Sequence, residues 1–160
     1  DWSSDVCSSD LTTGRILSQY NVGAQTRRTE NSRWHEEDVL EIHPHDAEQR
    51  GIREGDYVRV ASRAGDTTIR AKITERVAPG VVYTTFHHPT TQANVVTTDN
   101  SDWATNCPEF KVTAVQVSPS NGPTDWQESY NSFAATSRPF QRARWIRPLA
   151  PWPSSSPRTS

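Results

Sequence analysis

The stretch Asp38-Val39-Leu40-Glu41-Ile42-His43-Pro44, followed by Gly51-Ile52-Arg53-Glu54-Gly55-Asp56-Tyr57-Val58-Arg59-Val60, decides the fold. Its first five residues read as a short strand that Pro44 stops, because proline cannot continue a ladder. Asp46 is expected to cap a brief helix through Ala47 and Arg50, with Gly51 as its C-terminal stop. Glu54-Gly55-Asp56 reads as a turn in which Gly55 takes positive φ at little cost. Beyond it, Tyr57-Val58-Arg59-Val60 puts its two valines on one face.

The same pattern continues outward. Ala64-Gly65-Asp66 turns the chain into Thr67 to Thr74, where Ile69, Ala71 and Ile73 share a face. Ala78-Pro79-Gly80 is a further tight turn, and Val81 to Phe86 follows as a strand. A last strand is expected over Lys111 to Val117. Short strands joined by Gly/Pro turns, with little helix between them, predict a mainly β, closed barrel with short helices.

Composition narrows the class. A formal net charge of -2 over 160 residues argues against a general nucleic-acid binder. No apolar run approaches membrane-spanning length. Of the two cysteines, Cys7 falls in a segment set aside below. Cys107 alone supports neither a disulfide framework nor a four-cysteine zinc site, and it is expected to be a half-buried thiol. The chain reads as soluble, from a reducing compartment, and cytoplasmic.

Both ends stand apart from this core. Residues 1–11, Asp1-Trp2-Ser3-Ser4-Asp5-Val6-Cys7-Ser8-Ser9-Asp10-Leu11, resemble the translation of a short-read sequencing adapter and are excluded from fold reasoning. The native sequence is then expected to begin at Thr12, inside a longer protein. The tail, residues 137–160, is rich in Arg, Pro, Trp and Ser without helical or strand periodicity. It reads as a frameshifted or disordered segment that carries no site. The expected division is a folded core over 12–118, an extension over 119–136 and that tail.

Thr13-Gly14-Arg15, with Asn94 and Lys111 far downstream, is the candidate binding constellation. Gly14 permits close backbone approach to a ligand, and Arg15 offers a planar fork of donors suited to phosphate or carbonyl oxygens. Asn94 both donates and accepts, so it can read the edge of a heterocycle. Lys111 adds a compact positive charge. Arg27 and Arg28 are weaker candidates for neutralising a pyrophosphate. Taken alone, Thr-Gly-Arg is a common turn tripeptide. His43 with His45, or His87 with His88, lacks the accompanying ligands that zinc requires, so no metal site is expected.

These residues resemble a known family. Leu11-Thr12-Thr13-Gly14-Arg15, Tyr20-Asn21-Val22-Gly23, Thr26-Arg27-Arg28-Thr29, Asp102-Trp103-Ala104 and Pro108-Glu109-Phe110-Lys111 are similar to the C-terminal molybdopterin-dinucleotide-binding domain of molybdenum or tungsten oxidoreductases. Those are the dimethyl sulfoxide reductase family. Within it the details resemble the formate dehydrogenase catalytic (alpha) subunit, and Asn121-Gly122-Pro123-Thr124-Asp125-Trp126-Gln127 resembles the NAD-dependent enzymes. The resemblance implies a double-psi β-barrel of the aspartate-decarboxylase-like kind. It implies cofactor contacts from Thr13, Gly14, Arg15, Ile16, Leu17, Tyr20, Asn21, Val22, Asn94 and Lys111, with Phe86 and His87 near the substrate funnel. Many relatives carry His or Trp near the position of Tyr20-Asn21.

The implied cofactor is bis(molybdopterin guanine dinucleotide) with molybdenum or tungsten. Catalytic residues, iron-sulfur clusters and the route to NAD lie in other domains and subunits. The implied partners are therefore the upstream domains of the same polypeptide and iron-sulfur or flavin subunits, and the domain alone is expected to be inactive. Two other readings share these features. One is the same domain of a nitrate reductase. The other is a non-catalytic double-psi barrel acting as a binding or adaptor module, which gives no reason for Arg15, Asn94 and Lys111 to occur together.

Overall fold

The computed structural model describes residues 9–107 and 109–137. Its order is β1 (Ser9–Gly14), β2 (Val39–Ile42), α1 (Pro44–Gln49), β3 (Tyr57–Ala61), β4 (Asp66–Ile73), β5 (Val81–Thr85), β6 (Thr113–Pro119) and α2 (Asp125–Ser137), with short 3-10 turns between. The six strands close into a barrel in the order β1-β5-β2-β4-β3-β6. Two pairs, β1 with β5 and β2 with β4, run parallel, and the remaining neighbours are antiparallel. This is the mainly β, double-psi barrel that the sequence predicts. Closure leaves no strand edge unpaired, which is how such short strands form one stable sheet.

Alternation fills the interior. Val58 and Val60 of β3, Ile69 and Ala71 of β4, Val82 of β5, and Val115 and Val117 of β6 point inward, around Leu40 and Ile42. Each such side chain contributes on the order of 1.5–3 kcal/mol by leaving water. Ile52 and Ala47 close one end of this core, and Val96 also packs into it.

Four expectations need correction. β1 reaches back before Thr12, because Ser9, Asp10 and Leu11 form its first half. They pair with Val115, Ala114 and Thr113 of β6, and Leu11 is buried in the core. An apolar side chain at that register fills the barrel whatever the origin of the segment. Asp46 does not cap α1; the His43 ring accepts from the His45 N–H at that position. Asp46 is instead buried inside the helix, where its carboxylate accepts from the Gly80 N–H at 2.6 Å and ties α1 to the turn before β5. The last strand starts at Thr113, so Lys111 belongs to the preceding loop. Cys107 is exposed, not half-buried.

The extension folds back as α2. Gln127 is buried and its amide donates to the carbonyls of Thr68 (2.7 Å) and Thr90 (2.9 Å), pinning the helix to the barrel wall. Thr124 caps the helix start through the Gln127 N–H and its own hydroxyl. Of the tail expected over 137–160, Ser137 ends α2 and residues 138–160 lie outside the described residues.

Candidate functional site

The parallel register of β1 and β5 sets the position of every candidate residue. Gly14 lies opposite Thr85, so both strands end at the same rim of the barrel. β2 is antiparallel to β5 and re-enters beside Thr85, while β6 is antiparallel to β1 and begins opposite Leu11. The two long loops, 15–38 and 86–112, therefore leave and return at one rim. Residues 43–56 and 74–80 lie at the other. All ten predicted cofactor-contacting residues lie on the two long loops or at the end of β1.

Two clusters form on this rim. In the first, the Lys111 ammonium donates to the Thr13 carbonyl at 2.6 Å, and the Thr13 hydroxyl donates to the Phe110 carbonyl at 2.8 Å. Residues 98 positions apart are thereby joined. A lysine held on a strand-end carbonyl sits as a fixed positive charge. Gly14 follows directly beneath the Tyr83 ring: a Cβ there would meet Tyr83 Oη at 2.5 Å. Close approach of an aromatic ring is thus the reason this position has no side chain. Tyr83 Oη reaches the Arg15 carbonyl at 3.3 Å, and burial together with the Glu41 carboxylate pushes its pKa up. The Arg15 guanidinium is exposed and has no partner among the described residues.

The second cluster is a cavity of about 510 Å³ lined by Val22, Phe86, His88, Pro89, Gln92, Ala93, Asn94 and Val95. Apolar walls with three amide or imidazole groups suit a flat heterocycle with a hydrogen-bonding edge. Asn94 is exposed in the 3-10 turn Ala93–Val96, which its neighbours Ala93 and Val96 anchor by burial.

Between the clusters runs the segment from Ile16 to Val22. Leu17, Tyr20 and Val22 are exposed, a run of apolar side chains turned away from the barrel. His87 holds this segment from beneath. Its Nε2 accepts from the Ile16 N–H at 3.2 Å and its Nδ1 bonds the Asn21 carbonyl. Accepting at Nε2 requires the Nδ1–H tautomer, so the pair of bonds is self-consistent for a neutral ring. His87 is fully buried, with both ring nitrogens engaged by backbone. Phe86, by contrast, does line the cavity. Gly23 completes the segment at φ +68, where an added Cβ would meet the His87 carbonyl at 2.9 Å. Arg27 is spent on structure, donating to the carbonyls of Gly23 and His87, and Arg28 is exposed.

Asp38 organises the other side of His87 and was not a sequence candidate. It is buried and accepts from the Thr85 hydroxyl, the His87 and His88 N–H groups, and the His88 ring at 3.0 Å. Burial alone would raise its pKa; the bonds from the His88 ring, Thr85 and the His88 backbone outweigh it and hold the carboxyl below its usual range. Only the position of Asp38 just before a strand hinted at this role. Among the described residues no group of three or more His, Cys, Asp or Glu gathers to hold a metal.

The donor set fits a dinucleotide of a pterin. Arg15 and Lys111 supply positive charge, Asn94 and Gln92 supply amides, and a buried Gln19 amide nitrogen under the Ile16–Val22 segment has no partner. The Gln19 carbonyl accepts from Thr26, which leaves that amide nitrogen unspent.

Known proteins share this sequence and fold. The family model described as "Molydopterin dinucleotide binding domain" matches residues 10–114. The F420-dependent formate dehydrogenase 1 subunit alpha of Methanococcus maripaludis is 42% identical over 108 residues, covering 67% of this chain and 16% of that protein. The F420-dependent formate dehydrogenase subunit alpha of Methanocaldococcus jannaschii is 43% identical with the same coverage. The assimilatory nitrate reductase catalytic subunit of Bacillus subtilis is 35% identical over 111 residues, 68% of this chain and 16% of that protein. The chain therefore spans about a sixth of the length of these relatives. Among solved structures, acetylene hydratase from Pelobacter acetylenicus superposes with a TM-score of 0.60 over 72% of this chain and 18% of its own, at 15% identity, a likeness of fold alone. The chain belongs to the molydopterin dinucleotide binding domain family.

Proposed function

We propose that this domain holds one face of a molybdopterin guanine dinucleotide cofactor in the alpha subunit of a formate dehydrogenase, which oxidises formate to carbon dioxide. The observation that carries the reading is that strand register puts the Thr13–Arg15 and Lys111 cluster and the Asn94 cavity on the same rim of the barrel. Names of the alpha-subunit relatives support formate as the substrate. When bound, the cofactor with its molybdenum or tungsten supplies the redox chemistry. This chain's residues bind and orient it: Lys111 and Arg15 neutralise phosphate, and Asn94 reads a heterocycle edge.

Tyr20, Asn21 and Val22 would cover the ligand, with Ile16 and Leu17 as the apolar lip of the same segment. Iron-sulfur clusters and the final acceptor belong to the rest of the enzyme. The sequence suggests NAD as acceptor, whereas the methanogen relatives are named for F420. Upstream domains and iron-sulfur or flavin subunits are the partners in this reading, and its setting is cytoplasmic. A second reading, a nitrate reductase domain, is favoured only by the lower identity to the Bacillus subtilis protein.

The test is metal and guanine nucleotide content in a full-length enzyme carrying this domain, with Asn94→Ala or Lys111→Ala. Both variants should purify with depleted cofactor. Full occupancy and activity in both would refute the site assignment.

A further inference from the structure

His88 combines three observations that none of the site residues considered so far shares. Its ring lies on the wall of the cavity that also holds Asn94 and Gln92. Its Nδ1 is taken by the buried Asp38 carboxylate at 3.0 Å, an ion-pair distance with the Asp38 side chain wholly inaccessible. Its Nε2 has no partner among the described residues, yet it is not among the sealed unpartnered polar atoms of the interior, as befits an atom that opens on the cavity.

An ionised carboxylate only accepts, so the Nδ1 beside Asp38 must carry the proton. In the neutral form of the ring the lone pair is then fixed at Nε2. Asp38 also fixes the ring's orientation, since it grips the backbone N–H of the same residue at 2.9 Å. The oxygen that meets the ring, Oδ1, also accepts from the Thr85 hydroxyl and the His87 N–H, while Oδ2 takes the His88 N–H. The result is an oriented acceptor of single tautomer, built on a buried support, in a cavity where Asn94 and Gln92 can both donate and accept.

We propose that His88, held by Asp38, is a positioning residue that accepts a hydrogen bond from a ring N–H or amino group of a fused nitrogen heterocycle seated beside Asn94. The inference rests on the dinucleotide-binding reading above and adds to it a polar contact and the chemical edge that contact selects. Pterin and guanine share this edge, each presenting an amino group next to a ring N–H.

Two measurements test it. Histidine-ring nitrogen NMR of the chain should show His88 as the Nδ1–H tautomer, and its Nε2 resonance should move on addition of guanosine monophosphate or neopterin at millimolar concentration. Whichever probe moves it identifies the half of the dinucleotide that sits there. An Nε2–H tautomer, or no movement with either probe, would overturn the proposal.

In a full-length enzyme carrying this domain, guanine nucleotide released by acid is then followed per chain during dialysis. His88→Phe should lose it roughly fivefold faster than the parent, the worth of one ordinary hydrogen bond. His88→Gln, whose amide oxygen can reach the place of Nε2, should recover part of the difference. A parent that holds no guanine nucleotide would refute the dinucleotide reading itself. A parent that holds it while His88→Phe releases it at the same rate would refute the role of His88 alone. Equal acceleration in His88→Phe and His88→Gln, tracking lowered unfolding midpoints, would also refute it and leave His88 as a structural knot.

Discussion

Replacing Gly14 by alanine should distort the site through a single side chain. The added Cβ would lie 2.5, 2.6 and 2.9 Å from Tyr83 Oη, Cε2 and Cζ, where ordinary contact begins at 3.4 Å. Those three nearest atoms all belong to one ring; none is backbone. Inserting a methyl into such a contact costs on the order of 1–3 kcal/mol. Tyr83 is only half-buried, so its ring can swing outward, which puts the cost in the lower part of that range. The swing also breaks the bond from Tyr83 Oη to the Arg15 carbonyl.

The assay is a double-mutant cycle by urea unfolding of Gly14→Ala, Tyr83→Ala and the double variant. Because the clash exists only when both side chains are present, the double variant should be more stable than the sum of single effects by about 1 kcal/mol or more. Effects that add within about 0.5 kcal/mol would show that the Tyr83 ring does not set the identity of residue 14.

Further outcomes follow from the knots beneath the rim. Asp38→Asn removes the charge that His88, Thr85 and two backbone N–H groups share, and should cost about 3 kcal/mol in urea unfolding; a loss under about 0.5 kcal/mol would contradict that role. The folded-state pKa of Asp38 lies below its ordinary value of 3.8, so its stabilisation is complete above that pH and is lost as pH falls through the folded value. In Asp38→Asn the stability curve measured below pH 3.8 should accordingly be flatter than in the parent, and identical slopes would count against the linkage. Gln127→Ala leaves the Thr68 and Thr90 carbonyls without their donor, and should cost about 1–3 kcal/mol and speed amide exchange in α2. Leu11→Ala should cost about 2–5 kcal/mol by emptying a core position; a neutral result would place Leu11 outside the folded core.

The barrel was legible because its signals are local. Val58 and Val60, or Ile69 and Ala71, announce their strands by alternation, and Gly55 and Gly80 mark turns that do adopt positive φ. β1 was not, since Ser9 to Gly14 has one large apolar residue and draws its stability from pairing with β5 and β6, which are distant in sequence. α2 was missed for a similar reason: its anchor is the polar Gln127, invisible to any apolar periodicity.

At the site, Thr13 and Lys111 could be named together by resemblance, but their direct bond depends on strand register. For His87 a strand-end aromatic reads as core more often than as funnel, and it is buried, but the Ile16 N–H and Asn21 carbonyl that it serves could not be seen in sequence. Asp38 could be recognised only once Thr85, His87 and His88 were seen to converge on it.

The central claim is that one rim of the barrel, and not the other, meets the cofactor. Amide hydrogen exchange of a full-length enzyme carrying this domain, with and without its cofactor, tests that claim most directly. Exchange over residues 15–22 and 86–96 should slow when the cofactor is bound, while residues 43–56 and 74–80 at the opposite rim stay unchanged. Protection at the opposite rim, with none over 15–22 and 86–96, would contradict the account.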